Sequence, residues 1–225
     1  MDLTYLGHST FLIASGGYAV LLDPFMSGNP ACTVSHEKIE CTHMLISHGH
    51  DDHILDAVSI AQRTGCKVYG GYEVCTWLES KEVTNTHGMN LGGTFKTDFG
   101  SLKFVNAVHS STMPDDSPGG NPGGFLLKLE GKEIYYAGDT ALTMDMELLG
   151  RHNQVSLAFL PIGDVFTMGY EDAAIASEMI QCDTVIGMHY DTFPPIRIDH
   201  AKAKKAFAEK GKELILMNIG EKRTF

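Results

Sequence analysis

Residues 47–53 read SHGHDDH, three histidines and two aspartates directly after the apolar run MLI. Neutral imidazole and carboxylate are ligands for divalent metals. In an extended segment side chains alternate in direction, so His48 and His50 point the same way and both imidazoles reach one cation. Asp52 and His53 follow where the chain turns into a helix, which redirects them toward a second cation nearby. Two adjacent metal sites are the economical explanation. Asp51 falls outside this pattern and reads as an exposed turn residue or a helix N-terminal acid.

The surrounding elements must carry this loop. LTYL, TFLIA and YAVLL are short strand-like segments separated by GHS and SGG, the third ending at Asp23-Pro24. HMLIS (43–47) is a buried strand, and ILDAVSIAQRTG (54–65) has the apolar spacing of a helix stopped by Gly65. KVYG, the helix-like YEVCTWLES, and the strands GTFKTDF and SLKFVNAV follow, the last two joined hairpin-fashion at Gly100. GFLLKLEGKEIYYAGDT is a second hairpin turning at Gly131. A short helix near 142–150, the strand SLAFLPIG, the helix EDAAIASEMIQ, the strand TVIGMHY, the helix AKAKKAFAEKG and a final strand LILMNI complete the chain. Strands first and β-α alternation afterwards imply an α/β layered domain with mixed sheets. No linker or repeat divides it, so a single domain over residues 1–225 is expected.

Three further candidates stand at strand ends: His109 as third ligand of the first metal, Asp139 as a bridge, and His189 to complete the second. A lone strand-end histidine is ordinarily structural or solvated; these gain weight only beside SHGHDDH. The stretch SSTMPDDSPGGNPGG (110–124), too rich in Pro, Gly and Ser for a regular element, begins one residue after His109. It reads equally as a substrate flap or as a solvated excursion.

The ordered set His48, His50, Asp52, His53, His109, Asp139 and His189 resembles the H-x-H-x-D-H … H … D … H signature of the metallo-β-lactamase superfamily. LGHST, LLDPF (21–25), YYAGDTAL, FLPIGDVFTMGYEDAA (159–174) and MHYDTFP (188–194) are similar to one branch of it, metal-dependent hydrolases related to ascorbate-6-phosphate lactonase. The resemblance spans essentially the whole chain. It implies an α/β (α+β) fold of four layers, αββα, with two mixed sheets face to face, helices outside, and the metals where strand-end loops converge. It further implies that Asp23 matches the first acidic motif and orients the histidine loop. Asp164, Thr167, Met168 and Gly169 would line the pocket, against the plain reading of a Gly-rich connection. His8 in GHST either orients or contacts substrate beside the metals or is a satisfied turn histidine. Tyr190 either donates to an oxyanion or leaving group or packs in the interior.

Members of the superfamily with a redox-active di-iron centre carry Glu where this chain has His50. Imidazole-rich ligation therefore points to two Zn²⁺ ions first, with Mn, Fe, Ni or Co as alternatives. Two divalent ions, offset by Asp52, Asp139 and a bridging hydroxide, would leave the centre at about +1, which favours a developing oxyanion. Water bound there has its pKa lowered toward about 7. The expected function is hydrolysis of a small, anionic ester or lactone by a metal-bound hydroxide, with Asp52, His8 and Asp139 as catalytic residues. Two other readings stay open: a phosphodiesterase or RNase-type metallohydrolase, and a metal-stabilised binding or sensor protein.

Composition narrows the partners. Of 225 residues 43% are hydrophobic and 20% charged, the profile of a chain that folds throughout. A formal charge of −11 argues against neutralising phosphate backbones, so nucleic acid is not expected. The first 25 residues have no basic start, and Gly and Ser break their apolar stretches before spanning length, so neither export nor membrane insertion is expected. Five cysteines without a C-x-x-C pair suit a reducing compartment, and a cytoplasmic location follows. The partner is then a small-molecule substrate, and a homo-oligomer is compatible with the branch. His36, His43, His87, His152 and His200 lack a partner pattern and read as structural or surface residues.

Overall fold

The computed structural model describes Met1–Phe225, which divides into two compact units. The first comprises Met1–Gly93, Ser110–Pro122 and Asn218–Phe225; the second comprises Thr94–His109 and Gly123–Met217. Each is built on one seven-stranded mixed sheet.

In the first unit β1 (Asp2–Gly7), β2 (Thr10–Ser15) and β3 (Tyr18–Leu22) form the antiparallel meander expected from the Gly- and Ser-separated segments. β4 (His43–Ile46), β5 (Lys67–Gly71) and β6 (Thr86–Met89) continue the sheet in parallel from β3. Every residue of β4 is buried, as a central parallel strand covered on both faces requires. Its register, with Leu22 opposite Leu45, brings Asp23 beside the start of the histidine loop, and Asp23 N donates to Leu45 O at 3.0 Å.

The spacing predicts one helix over 54–65, and the structure breaks it. α1 is a single turn, Asp51–Ile54, and α2 runs over Ala57–Thr64. Asp56, at φ −95° and ψ 0°, turns its buried carboxylate away to accept from Met26 N (2.6 Å), Ser27 N (3.0 Å) and the Ser27 hydroxyl. These long-range bonds outcompete helix continuation. Gly65 ends α2 as expected, in the left-handed conformation at φ 65°. α3 (Tyr72–Ser80) follows β5 directly.

In the second unit β7 (Thr94–Thr97), β8 (Gly100–Asn106), β9 (Gly123–Leu129) and β10 (Lys132–Tyr136) are antiparallel, and β11 (Val155–Pro161), β12 (Thr184–Met188) and β13 (Glu213–Ile215) are parallel. Gly100 makes the first hairpin at φ 142°, where any β-carbon would meet the Lys128 carbonyl. α4 (Asp145–His152), α5 (Tyr170–Ile180) and α6 (His200–Ala208) pack together, and α5 lays its small buried face, Ala173, Ala174, Ala176 and Ser177, toward β11.

The final strand is shorter than LILMNI suggests, ending at Ile215. Two strands have no sequence signal: β6 (THGM) contains a glycine and lacks alternation, and the edge strand β14 (Lys222–Thr224) is wholly exposed and polar. No helix is long and apolar enough to cross a membrane.

Candidate metal centre

In the first unit Asp23 is the organising residue. It is fully buried and sits at φ 40° at the end of β3. One oxygen accepts from Ser47 N at 2.7 Å; the other accepts from Ser47 Oγ at 2.5 Å and from His53 Nδ1 at 2.8 Å. Ser47 thereby spends its single proton on Asp23, so its oxygen accepts from His48 Nδ1, 3.0 Å away. Both rings carry their proton on Nδ1 and turn Nε2, as a lone pair, toward the loop interior. Asp23 also lies within 4.8 Å of the His48 and His53 nitrogens, a spacing a metal could use. Its two oxygens already accept three hydrogen bonds, so it orients these histidines, as the resemblance implies.

SHGHDDH separates into two pairs of donor atoms. His48 Nε2 lies 3.0 Å from His50 Nδ1, and His53 Nε2 lies 3.9 Å from Asp52 Oδ2. α1 carries Asp52 and His53 on a helical turn after the extended His48–His50 segment, and the His53 ring still packs 4.2 Å from His48 by centroid. His8, buried at φ 55°, places Nε2 3.0 Å from Asp52 Oδ2 and so stands beside the candidate ligands. Asp51 is exposed in the first helical turn, outside both pairs.

Residues 110–122 pack onto this loop as an ordered hairpin. Thr112 bridges Pro118, and Ser111 Oγ accepts from Gly49 N at 3.1 Å while donating to Gly119 O at 3.0 Å. Ser110 Oγ lies 3.4 Å from His50 Nε2. Met113 is buried against Gly49, where a β-carbon would collide with its sulfur. Asp115 at the tip accepts from Trp77 Nε1 (2.8 Å) and Lys81 Nζ (3.2 Å). The Ser117 hydroxyl, the Trp77 indole and the Lys81 ammonium hold its carboxyl well below the usual carboxylate range.

In the second unit one carboxylate oxygen serves two imidazoles. Asp139 Oδ2 lies 3.0 Å from His189 Nε2 and 3.6 Å from His109 Nε2, with Asp139 and His189 each 2% exposed. His189 directly follows β12, whereas His109 and Asp139 stand three residues beyond the ends of β8 and β10. Thr140 ties these two extensions together: its Oγ1 accepts from Val108 N at 3.0 Å, and Ala141 N donates to Val108 O at 3.1 Å. Gly163 lies so close to the His189 carbonyl that a β-carbon there would collide with it.

The loop after β11 borders this cluster. Gly163 bridges Gly169, Asp164 N donates to Met168 O at 3.3 Å, and Met168 N donates to Thr140 O at 3.0 Å. Met168 is buried, while Asp164 spends its side chain on Val165 N (2.8 Å). Phe166 N donates to Asp164 O at 2.6 Å, closing a tight turn over Val165 at φ 61°, a backbone conformation a β-branched residue rarely adopts. Val165 and Phe166 are thereby held in solvent. Thr167 donates its hydroxyl to Met168 O at 3.2 Å, and Gly169 caps α5. Tyr190 is buried, its ring edge-on to His200 at 5.7 Å.

The donor chemistry fits divalent metal: histidines with assigned lone pairs and carboxylates beside them, in clusters too buried to be solvated faces. Ser47, Ser111 and Thr140, which position these groups, were not singled out by spacing. Comparisons with known proteins identify the family. The model of the beta-lactamase superfamily domain matches residues 2–189, a span that includes every candidate ligand. The chain belongs to this superfamily. A metal-dependent hydrolase of the UPF0173 family from Christiangramia forsetii is 49% identical over 223 residues, covering 98% of both chains. One from Flavobacterium johnsoniae is 46% identical over 222 residues, again covering 98% of both. Among solved structures, Igni18, a metallo hydrolase from the hyperthermophilic archaeon Ignicoccus hospitalis, is 34% identical with a TM-score of 0.90, covering 100% of this chain and 97% of that one. The chain thus stands among the metal-dependent hydrolases of the superfamily, with the fold class that the seven ordered residues implied.

Proposed function

We propose that the seven candidate ligands form one dinuclear centre, His48, His50 and His109 about one ion, Asp52, His53 and His189 about the other, and Asp139 between them. The observation that carries the reading is Asp139 Oδ2, shared at 3.0 and 3.6 Å between His189 and His109. A single oxygen between two imidazoles assigned to different ions is what a bridging carboxylate needs. The pairing of His48 Nε2 with His50 Nδ1, and of His53 Nε2 with Asp52 Oδ2, supports the division of the loop between two ions.

The reaction we propose is hydrolysis of a small, anionic carboxylic ester or lactone. When bound, the ions, zinc first among the candidates, supply Lewis acidity and a hydroxide at neutral pH. The chain's own groups do the rest. Asp23, directly for His53 and through Ser47 for His48, keeps the proton on Nδ1 and so leaves Nε2 of each ring as the ligating atom. Asp52, partly exposed, is available to take the proton released by attack, and His8 orients it from 3.0 Å. A centre of about +1 in a chain of formal charge −11 gives an anionic substrate one local point of attraction. The ester or lactone assignment rests on the motif similarity to the branch that includes ascorbate-6-phosphate lactonase.

The test is turnover of the metal-loaded protein on a panel of lactones, carboxylic esters, thioesters, phosphodiesters and β-lactams, beside the Asp139→Ala protein. Turnover of a lactone or ester that is lost with Asp139 supports the assignment. Cleavage of bis(p-nitrophenyl) phosphate with lactones and esters untouched moves the protein to the phosphodiesterases.

A further inference from the structure

Two of the five cysteines lie together in the first unit, away from the ligand loop. Cys41 precedes β4 by two residues and Cys66 precedes β5 by one, and the parallel register that pairs His43 with Lys67 brings these strand starts side by side. Lys67 N donates to Thr42 O at 3.0 Å, fixing the backbone between them. Thr64 braces both: its Oγ1 lies 4.0 Å from Cys41 Sγ, accepts from Cys66 N at 3.2 Å, and donates to Ile60 O at 2.8 Å.

The side chains are buried, yet Cys66 lines a surface cavity of about 310 Å³ with Gln62, Gly65, Glu82, Thr84 and Asn85. That volume admits a molecule the size of a small hydroperoxide. The pair also differs electrostatically from the remaining cysteines. Donation from Cys41 draws the Cys66 thiol down to about 7, and the same hydrogen bond pushes Cys41 up. Burial pushes Cys75 up to about 12 and raises Cys32 and Cys182 as well. The thiolate is the reactive form, and Cys66 is the member of the pair that lines the cavity.

We propose that Cys41 and Cys66 form a peroxide-reactive dithiol, in which Cys66 reacts first with a hydroperoxide entering from the cavity and Cys41 closes the disulfide. The Cys66 sulfur attacks one peroxide oxygen and the O–O bond breaks; the departing oxygen leaves as water, or as an alcohol from an alkyl hydroperoxide. Cys66 is left as a sulfenic acid. The Cys41 sulfur then attacks Cys66 Sγ, the S–O bond breaks, and hydroxide leaves as water with the Cys41 proton. Two thiols are oxidised by two electrons and one hydroperoxide is reduced by two. An external dithiol reverses the step by thiol–disulfide exchange. The cross-link would tie the starts of β4 and β5.

The experiment treats zinc-loaded full-length protein with one equivalent of hydrogen peroxide, alkylates the remaining thiols, and maps peptides by mass spectrometry. The expected first product is a Cys41–Cys66 cross-linked peptide, restored to two thiols by dithiothreitol. In Cys41→Ser, which keeps a hydroxyl donor toward Cys66, dimedone should trap a sulfenic acid at Cys66. Cys41→Ala, which removes the donor, should slow that labelling by about tenfold or more, following the loss of thiolate. Oxidation appearing first at Cys32, Cys75 or Cys182 while Cys41 and Cys66 still alkylate overturns the proposal, and the wild-type map gives that answer without any variant. Equal labelling rates of Cys66 in Cys41→Ser and Cys41→Ala also overturn it.

Discussion

Replacing Asp23 by Asn should disarm the metal centre while leaving the fold standing. The carboxylate accepts three hydrogen bonds, from Ser47 N, Ser47 Oγ and His53 Nδ1. In Asp23→Asn the amide oxygen can keep Ser47 N, but the NH₂ group then faces the Ser47 hydroxyl and the His53 ring as a donor. His53 must accept at Nδ1, which moves its proton to Nε2. Ser47, now an acceptor toward residue 23, turns its proton to His48 Nδ1, 3.0 Å away, and that ring flips its tautomer too. One lone pair for each of the two proposed ions is lost. Removing an orienting partner of a metal-bound histidine typically weakens binding about 10–100-fold, or about 1.4–2.7 kcal/mol. The hydrogen bonds stay formed, with charge-assisted ones becoming neutral, so the folding penalty should be about 1–3 kcal/mol. The assays are competition of the apo-protein with a chromophoric zinc chelator and long-range ¹H–¹⁵N spectra of the histidine rings. A variant that binds zinc as the wild type does, with Nε2 of His48 and His53 still unprotonated, would refute the reasoning.

Gly49→Ala should push Met113 and Thr112 off the histidine loop, because a β-carbon there collides with the Met113 sulfur and lies 3.1 Å from Thr112 O. A loss of about 1–3 kcal/mol in chemical denaturation is expected, typical of overpacking, together with weaker zinc binding; no change in either would mean that the 110–122 hairpin does not brace the loop. Asp115 has its carboxyl held low in the folded chain, so its bonds to Ser117, Trp77 and Lys81 persist above the ordinary carboxylate pKa of about 3.9 and are lost only as the pH falls below that range. Trp77 is the only tryptophan, so its emission should stay flat from neutral pH through about 4 and shift only in stronger acid, whereas Asp115→Asn should show the shifted emission already at pH 7; a wild-type midpoint at or above the ordinary carboxylate value would contradict this.

The candidate ligands carry a local signal: an H-x-H-x-D-H run at a strand end, and a few polar residues after apolar strands. Even there the strand ends are blurred, since His109 and Asp139 lie three residues past their strands, on extensions fixed by Thr140. What holds the ligands is less legible. The Asp23–Ser47–His48 relay joins residues 24 positions apart, and only the β3–β4 register shows that they meet. The break at Asp56 comes from Met26 and Ser27, about thirty residues earlier. Composition reads 110–124 as unable to form a regular element, but does not reveal that Gly49, Trp77 and Lys81 pin it into a hairpin.

The central claim, two metal ions sharing Asp139, is tested most directly by metal stoichiometry. Wild-type protein and Asp139→Ala, both loaded with zinc and dialysed, would be analysed by inductively coupled plasma mass spectrometry against protein concentration. Two zinc ions per wild-type chain, and one or none in the variant together with loss of hydrolysis, is the predicted result. A wild type that saturates at one ion, or a variant that keeps both ions and full turnover, would contradict it.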